Sequence, residues 1–282
     1  MWRSPEPRHD VASALVQGGR SRQEDAVLAD FPCGTDGGIA VLSDGMGGHA
    51  AGDVASRIVV TEVHADPAFA RPAFAADESA IPRHLARAAK GANAAVRHHV
   101  RTHPETRGMG ATLVSVVLVG DRMFWMSVGD SPLYLLWGGR LHRLDEDHSL
   151  APRIDLMADR GLITPMAARD RSDRHCLTSV IPGGEVARRD CPALPFALRP
   201  GDVVLMASDG VQVLDAATIG RILHRNRNRN RRRPAARIAA CLLSALGDPA
   251  DPDRDNVALC VIKPNPARAP AAAPPLAQGA RP

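Results

Sequence analysis

The sequence predicts an α+β domain built on antiparallel sheet, and three stretches carry that reading. Ala111 to Asp130, ATLVSVVLVGDRMFWMSVGD, sets two apolar runs either side of Gly120-Asp121, a hairpin turn pair. Leu133 to Leu144, LYLLWGGRLHRL, repeats the pattern around Gly138-Gly139. Three successive strands joined by tight turns make an antiparallel meander, whereas a doubly wound parallel sheet needs a long crossover between strands. The helices come from stretches such as Leu85, Ala88, Ala92, Val96 and Val100, apolar at three- and four-residue spacing.

Taken in order, residues 1–9 read as a polar arm, 10–263 as one domain, and 264–282 as a disordered Pro/Ala-rich tail. Ser13 to Gly19 gives a first strand and turn, and Ile39 to Ser43 a second strand. A helix follows from Ala50, with Val54, Ile58 and Val59 on one face. The prolines of Pro67 to Glu78 predict a loop. His84, His98, His99 and His103 on the long alanine-rich helix read as solvated surface, because no nearby Glu completes a metalloprotease-like pattern. Residues 145–184 are polar, with a helix near Ser149 to Arg160, and have the composition of a flap over the core. Gly201 to Val211 is another strand, helices are expected at Ala216 to His224 and Pro234 to Leu246, and Arg254 to Ile262 closes the sheet.

Composition excludes several classes. The five cysteines are odd in number, widely spaced and form no C-x-x-C, which argues against a disulfide framework or a zinc knuckle. No apolar run approaches a membrane span, and the start MWRSPEPRHD has no apolar signal segment, so the expected location is cytoplasmic with no membrane partner. Net charge is +4, which favours anionic partners in general. The run HRNRNRNRRR, 224–233, has no aromatic residue for base stacking, so a docking loop is expected ahead of nucleic acid.

The chemistry lies in the acids. Asp44 in VLSDGM and Asp209 in LMASDGV follow strands in near-identical settings. Asp130 follows FWMSVG, Asp255 precedes VALCVI, and Glu24 and Asp25 follow the first strand. In antiparallel sheets one strand's end neighbours the next strand's start, so these groups are placed to converge on one rim. Crowded carboxylates repel and need cations. Asp oxygens without His or Cys favour Mg²⁺ or Mn²⁺. A pair of such ions orients a phosphoryl group for in-line attack. Arg20, beside the acidic pair, suits bidentate contact with phosphate.

With RSRQEDA, VLSDGMGGH, GMGATLVSVVL, SVGDSPLYL, DHSLAP, LTSVIPGG, DVVLMASDGV and DNVALCVI in order, the chain resembles the bacterial metal-dependent Ser/Thr protein phosphatases of type 2C, the PPM family, from Val11 to Ile262. The resemblance implies a four-layer αββα sandwich, two central antiparallel sheets flanked by helices, with the metal centre in a cleft at one end. It implies hydrolysis of phosphoserine and phosphothreonine by direct attack of a metal-bridging hydroxide on a phosphoprotein, opposing a Ser/Thr kinase. The alternative is a catalytically weak signalling module of the same fold. Two Mn²⁺ or Mg²⁺ ions are implied, with a third at a weaker site, in a chain expected to be monomeric.

By the same resemblance Asp44 bridges both metals, the Gly45 carbonyl binds the second, and Asp209 and Asp255 bind the first. Asp130 matches the third-metal ligand. Arg20 matches the phosphate-holding arginine, Glu24 and Asp25 match acids that position metal-bound waters, and Asn256 steadies Asp255. Thr112 reads as structural. Gln23 stands where the family usually has Asn, Pro132 where it has Arg, and Met46 where many eukaryotic members have His. That last change leaves the general acid unassigned, His49 being the neighbouring candidate.

Overall fold

Neighbouring residues of the central strands face different cores, and that alternation sets the layering. The computed structural model describes residues 8–33, 35–47, 51–74, 77–226 and 234–265, with the side chains of 67–74 left out. His49, the run 227–233 and the tail from residue 266 therefore lie outside the described residues, as do residues 1–7.

One sheet has the order β1-β11-β10-β7-β8: His9–Val16, Val257–Pro264, Val203–Ala207, Leu133–Trp137 and Arg140–Arg143. The other runs β2-β3-β5-β6-β9: Asp25–Asp30, Gly37–Met46, Leu113–Val119, Arg122–Val128 and Phe196–Ala197. The short β4, Gly110–Ala111, pairs with the end of β3. Every pairing between named strands is antiparallel.

On β3, Ala40 and Leu42 point between the sheets while Ile39 and Val41 face α1 (Gly52–Phe74) and α2 (Ile81–Thr102). On β11, Ala258, Cys260 and Ile262 join the central core. Val257, Leu259 and Val261 face α5 (Ala216–Asn226) and α6 (Ala235–Ala245). Strands buried on both sides need apolar residues at every position, which explains their unbroken Val/Leu/Ile runs. Three apolar layers thus separate helix, sheet, sheet and helix, the four-layer α+β sandwich that the resemblance implies.

Two expectations are corrected. The hairpins β5–β6 and β7–β8 do not form one meander, because the chain crosses from one sheet to the other between Val128 and Leu133. Gly129 makes the crossing at φ +109°, where a Cβ would lie 2.6 Å from Thr112 Cγ2. The loop expected at Pro67 to Glu78 is largely helix, since α1 continues to Phe74. Each interior proline forfeits one helical hydrogen bond, and the alanines among them offset that.

Residues 145–184 carry α3 (Ala151–Asp159) and α4 (Pro165–Arg169). The segment is tied down at both ends. His148 N–H donates to Gly129 O at 3.0 Å, and Arg97 Nε on α2 donates to Gly183 O at 2.6 Å.

Candidate active site

The strand ends do meet at one rim. Asp25 opens β2 directly opposite Asp44 on β3. Asp209 follows β10, Asp255 precedes β11, and these two strands are neighbours. Asp130 sits in the crossing between the sheets, buried to 6% exposure. The structure therefore brings together every acid that the sequence singled out.

Backbone and hydroxyl contacts fix the acids from behind. Thr112 Oγ1 accepts the Asp44 N–H at 2.9 Å, and the Thr112 N–H donates to Asp44 O at 2.8 Å. Ser131 Oγ lies 2.7 Å from the same Thr112 oxygen, so β3, β5 and the crossing are locked together beneath Asp44. Ser208 Oγ donates to Asp25 Oδ2 at 2.7 Å while accepting the Ala258 N–H at 2.9 Å. That single hydroxyl links the two sheets at the rim.

Asn256 organises the other side. Its Oδ1 accepts the Glu24 N–H at 2.7 Å, and its Nδ2 donates to Gln17 O and Arg22 O at 2.6 and 2.9 Å. Its own N–H donates to Asp255 Oδ1 at 2.8 Å. Gly18 permits the close approach. Its φ is +65°, and a Cβ there would lie 2.3 Å from Asp255 O. Arg20 then reaches the mouth of the cleft, where Nη2 donates to Asp255 Oδ2 at 2.7 Å.

The electrostatics are those of a site short of positive charge. Burial pushes Asp25 up to about 7, and the charges of Asp209 and Asp255 add to it against the Ser208 hydrogen bond. Burial raises Asp130 to about 7, with Asp209 and Asp147 adding. Asp44 is held well above the ordinary carboxylate range by burial, then by Asp25, Asp209 and Asp130. Asp209 is raised by burial and by Asp255, and Glu24 by burial and by Asp53. Proteins do not gather carboxylates this way for stability, because each buried ionised group repels the next.

The donor set fits hard divalent cations: carboxylate and carbonyl oxygens, with no thiol or imidazole among them. Gly45 adds a second observation. A Cβ on it would fall 2.0 Å from Gly52 O, and one on Gly52 would fall 2.9 Å from Gly45 O and 2.8 Å from Glu24 Oε1. Only glycines let the start of α1, the Gly45 carbonyl and the Glu24 carboxylate share that space. Asp53 Oδ1 beside them is buried with no hydrogen-bond partner among the described residues.

Sequence reasoning missed several supports. Arg143 donates to Asp130 O at 2.9 Å and to both oxygens of Asp145, whose carboxylate also accepts the Leu133 N–H. His175, from the flap, is close enough for its charge to act on Asp209. Neither residue carries a local signal: Arg143 is one of many arginines and reaches back across the β7–β8 hairpin, and His175 comes from the flap. A further group, Glu146, His148 and Asp190, has ligand atoms within 4.8 Å of one another. It is poorly suited to a metal. His148 Nδ1 accepts the Gly129 N–H at 3.1 Å, so its proton stays on Nε2, facing Asp190 Oδ1 at 3.9 Å. It braces the flap against the crossing.

Comparison with known proteins agrees with this geometry. The family model described as Protein phosphatase 2C matches residues 17–248. The serine/threonine protein phosphatase PstP of Mycobacterium tuberculosis is 33% identical over 196 residues, covering 68% of this chain and 34% of its own. The match thus spans about a third of that relative. The crystal structure of the Mycobacterium tuberculosis phosphatase PstP/Ppp superposes with a TM-score of 0.72 at 28% identity, covering 90% of this chain and 98% of that one. The catalytic domain of PstP in complex with two manganese ions superposes at 0.68 and 28% identity, covering 90% and 97%. From the rim of aspartates to the order of the strands that carry them, the chain belongs to the protein phosphatase 2C family.

Proposed function

We propose that this protein is a metal-dependent protein serine/threonine phosphatase, hydrolysing phosphoserine and phosphothreonine. The observation that carries the reading is the convergence of Asp25, Asp44, Asp130, Asp209 and Asp255 on one rim, with carboxyls raised by burial and mutual repulsion at Asp25, Asp44, Asp130 and Asp209. The manganese complex of a relative at 28% identity supports it.

Asp44, the Gly45 carbonyl, Asp209 and Asp255 would hold two Mn²⁺ or Mg²⁺ ions, and Asp130 a third. Bound there, the cations would supply the charge the carboxylates need and lower the pKa of a water. Arg20 at the mouth grips the non-bridging phosphate oxygens with its planar fork. It exchanges Asp255 for substrate at small cost, because this ion pair is exposed. Glu24 and Asp25 orient the attacking water through its protons. Asn256 and Ser208 hold Asp255 and Asp25 at their stations. Water attacks phosphorus directly, so no phosphoenzyme forms.

Residues 10–263 form the phosphatase domain in this reading, and the flap of 145–184 selects among phosphoproteins because it lies over a rigid site. The physiological setting is cytoplasmic signalling opposite a Ser/Thr kinase, by a monomer. Among the described residues no helix is long and apolar enough to cross a membrane. Asp209→Asn removes most Mn²⁺-dependent turnover of a phosphothreonine peptide. Full activity in that variant would overturn the assignment.

A further inference from the structure

The β7–β8 hairpin and α5 enclose a groove of about 500 Å³ away from the carboxylate rim. β7 starts just after Asp130 and runs away from it, so the Gly138-Gly139 turn lies at the far end of the sheet. Arg140 on the hairpin and Arg221, His224 and Arg225 on α5 line the groove, and among the described residues no carboxylate does. Its floor is apolar and shallow. Leu141 and Gly220 meet there, and a Cβ on Gly220 would sit 3.4 Å from Leu141 Cβ.

The cations here are gathered on one groove with no acid among its described lining residues, whereas several surface arginines elsewhere each sit against a carboxylate. Arg57 pairs with Asp53, Arg87 with Asp66, Arg122 with Glu78 and Arg174 with Asp155. Among the described residues, Arg140, Arg221 and Arg225 have no carboxylate at ion-pair distance. Arg221 donates to Thr218 Oγ1 at 2.7 Å. Asp215, just before α5, accepts the Thr218 N–H and feels the Arg221 charge at longer range, but it lies outside the groove. Favourable interaction with the helix dipole accounts for His224 and Arg225 in the last turn, but not for Arg221 or for Arg140 on another element. Arg221 and Arg225 are four apart and repel, which costs the free helix stability.

We propose that this groove docks an acidic, partly apolar peptide segment of the phosphoprotein, at a distance from the phosphorylated residue that enters the active site. The proposal rests on the phosphatase reading for the identity of the partner. Three guanidinium forks, one from the hairpin and two from α5, match carboxylates in geometry as well as charge, and the floor takes the aliphatic side chains between them. Nucleic acid fits less well, because no Phe, Tyr or Trp lines the groove among the described residues, and the one imidazole there, His224, is a poor stacking platform beside them.

The test uses the full chain and a fluorescent, unphosphorylated peptide of alternating Glu and Leu, followed by anisotropy. The wild type binds it with an affinity that falls as salt rises. Arg140→Glu combined with Arg221→Glu weakens binding roughly tenfold or more. Arg221→Gln alone gives a smaller loss in a protein of unchanged melting temperature. For a phosphothreonine peptide carrying the same extension, KM rises with kcat unchanged, while turnover of p-nitrophenyl phosphate is unaffected. Equal peptide affinity in wild type and double variant overturns the proposal. So does tighter binding of a single-stranded oligonucleotide or of an anionic vesicle than of the peptide. Absence of all phosphatase activity with peptide binding intact would instead overturn the catalytic reading and leave the groove assigned.

Discussion

Ser208 carries more of the site than its size suggests. Its hydroxyl donates to Asp25 and accepts from the Ala258 backbone, and the residue is fully buried. Ser208→Ala would leave a buried carboxylate oxygen and a buried N–H unpaired. Such losses cost about 1–3 kcal/mol each. The variant is expected to melt at lower temperature and to bind Mn²⁺ more weakly, as read by calorimetry. Ser208 was visible in the sequence only as part of the Ser-Asp-Gly frame around Asp209. Its bond to Asp25 joins residues 183 positions apart, a relation no local pattern encodes. The acids themselves were legible because each interrupts an apolar strand at its end. Arg143 and His175 were not, because they sit among many similar charged residues and nothing in their local sequence ties them to the rim.

At the scale of elements, the end of β3 and the start of α1 are built around glycine. Gly45→Ala would drive a Cβ into Gly52 O, backbone that cannot swing aside as a side chain can. Overpacking of this kind costs about 1–3 kcal/mol. The expected outcome is a lowered melting temperature together with loss of Mn²⁺ affinity, since the strain falls on the carbonyl assigned to the second ion. A variant with full stability and full affinity would remove Gly45 from the ligand set. Most elements were legible from periodicity, because their strands are apolar throughout and their helices amphipathic. The partition of two hairpins between two sheets was not. It depends on Gly129, whose φ of +109° and fit against Thr112 let the chain change sheets. Hairpin signals name a strand's neighbour in the chain and leave open which sheet it joins.

At the scale of the whole molecule, the two sheets are held together at both ends. Ser208 links them at the rim, and His9 does so elsewhere. His9 on β1 lies 3.0 Å through Nε2 from the carbonyl of Gly120, in the β5–β6 turn of the other sheet, with its ring edge against Phe31 at 5.7 Å. Burial lowers its pKa from 6.5 to about 4, the Gly120 contact opposing, with Arg8 lowering it and Asp36 raising it. Folding therefore favours the neutral ring. The unfolded chain takes up the proton first as pH falls, so this contribution is intact above pH 6.5 and is lost between 6.5 and 4. The loss is on the order of 3 kcal/mol. His9→Gln should flatten that part of the stability–pH curve, measured by urea unfolding as a difference from wild type. Equal slopes would show that His9 is not buried neutral.

The four-layer arrangement became readable through the ordered set of family segments. Composition and periodicity alone reach an antiparallel α+β domain. As proposed above, the five-aspartate rim is a metal centre that serves phosphoprotein hydrolysis. That role is tested most directly by titrating Mn²⁺ into the metal-free protein by calorimetry while following phosphothreonine peptide hydrolysis, for wild type and Asp44→Asn. The wild-type chain is expected to bind at least two ions with turnover rising as they bind, and Asp44→Asn to lose both. Turnover that persists in chelator, or an Asp44→Asn variant with wild-type stoichiometry and rate, would contradict it.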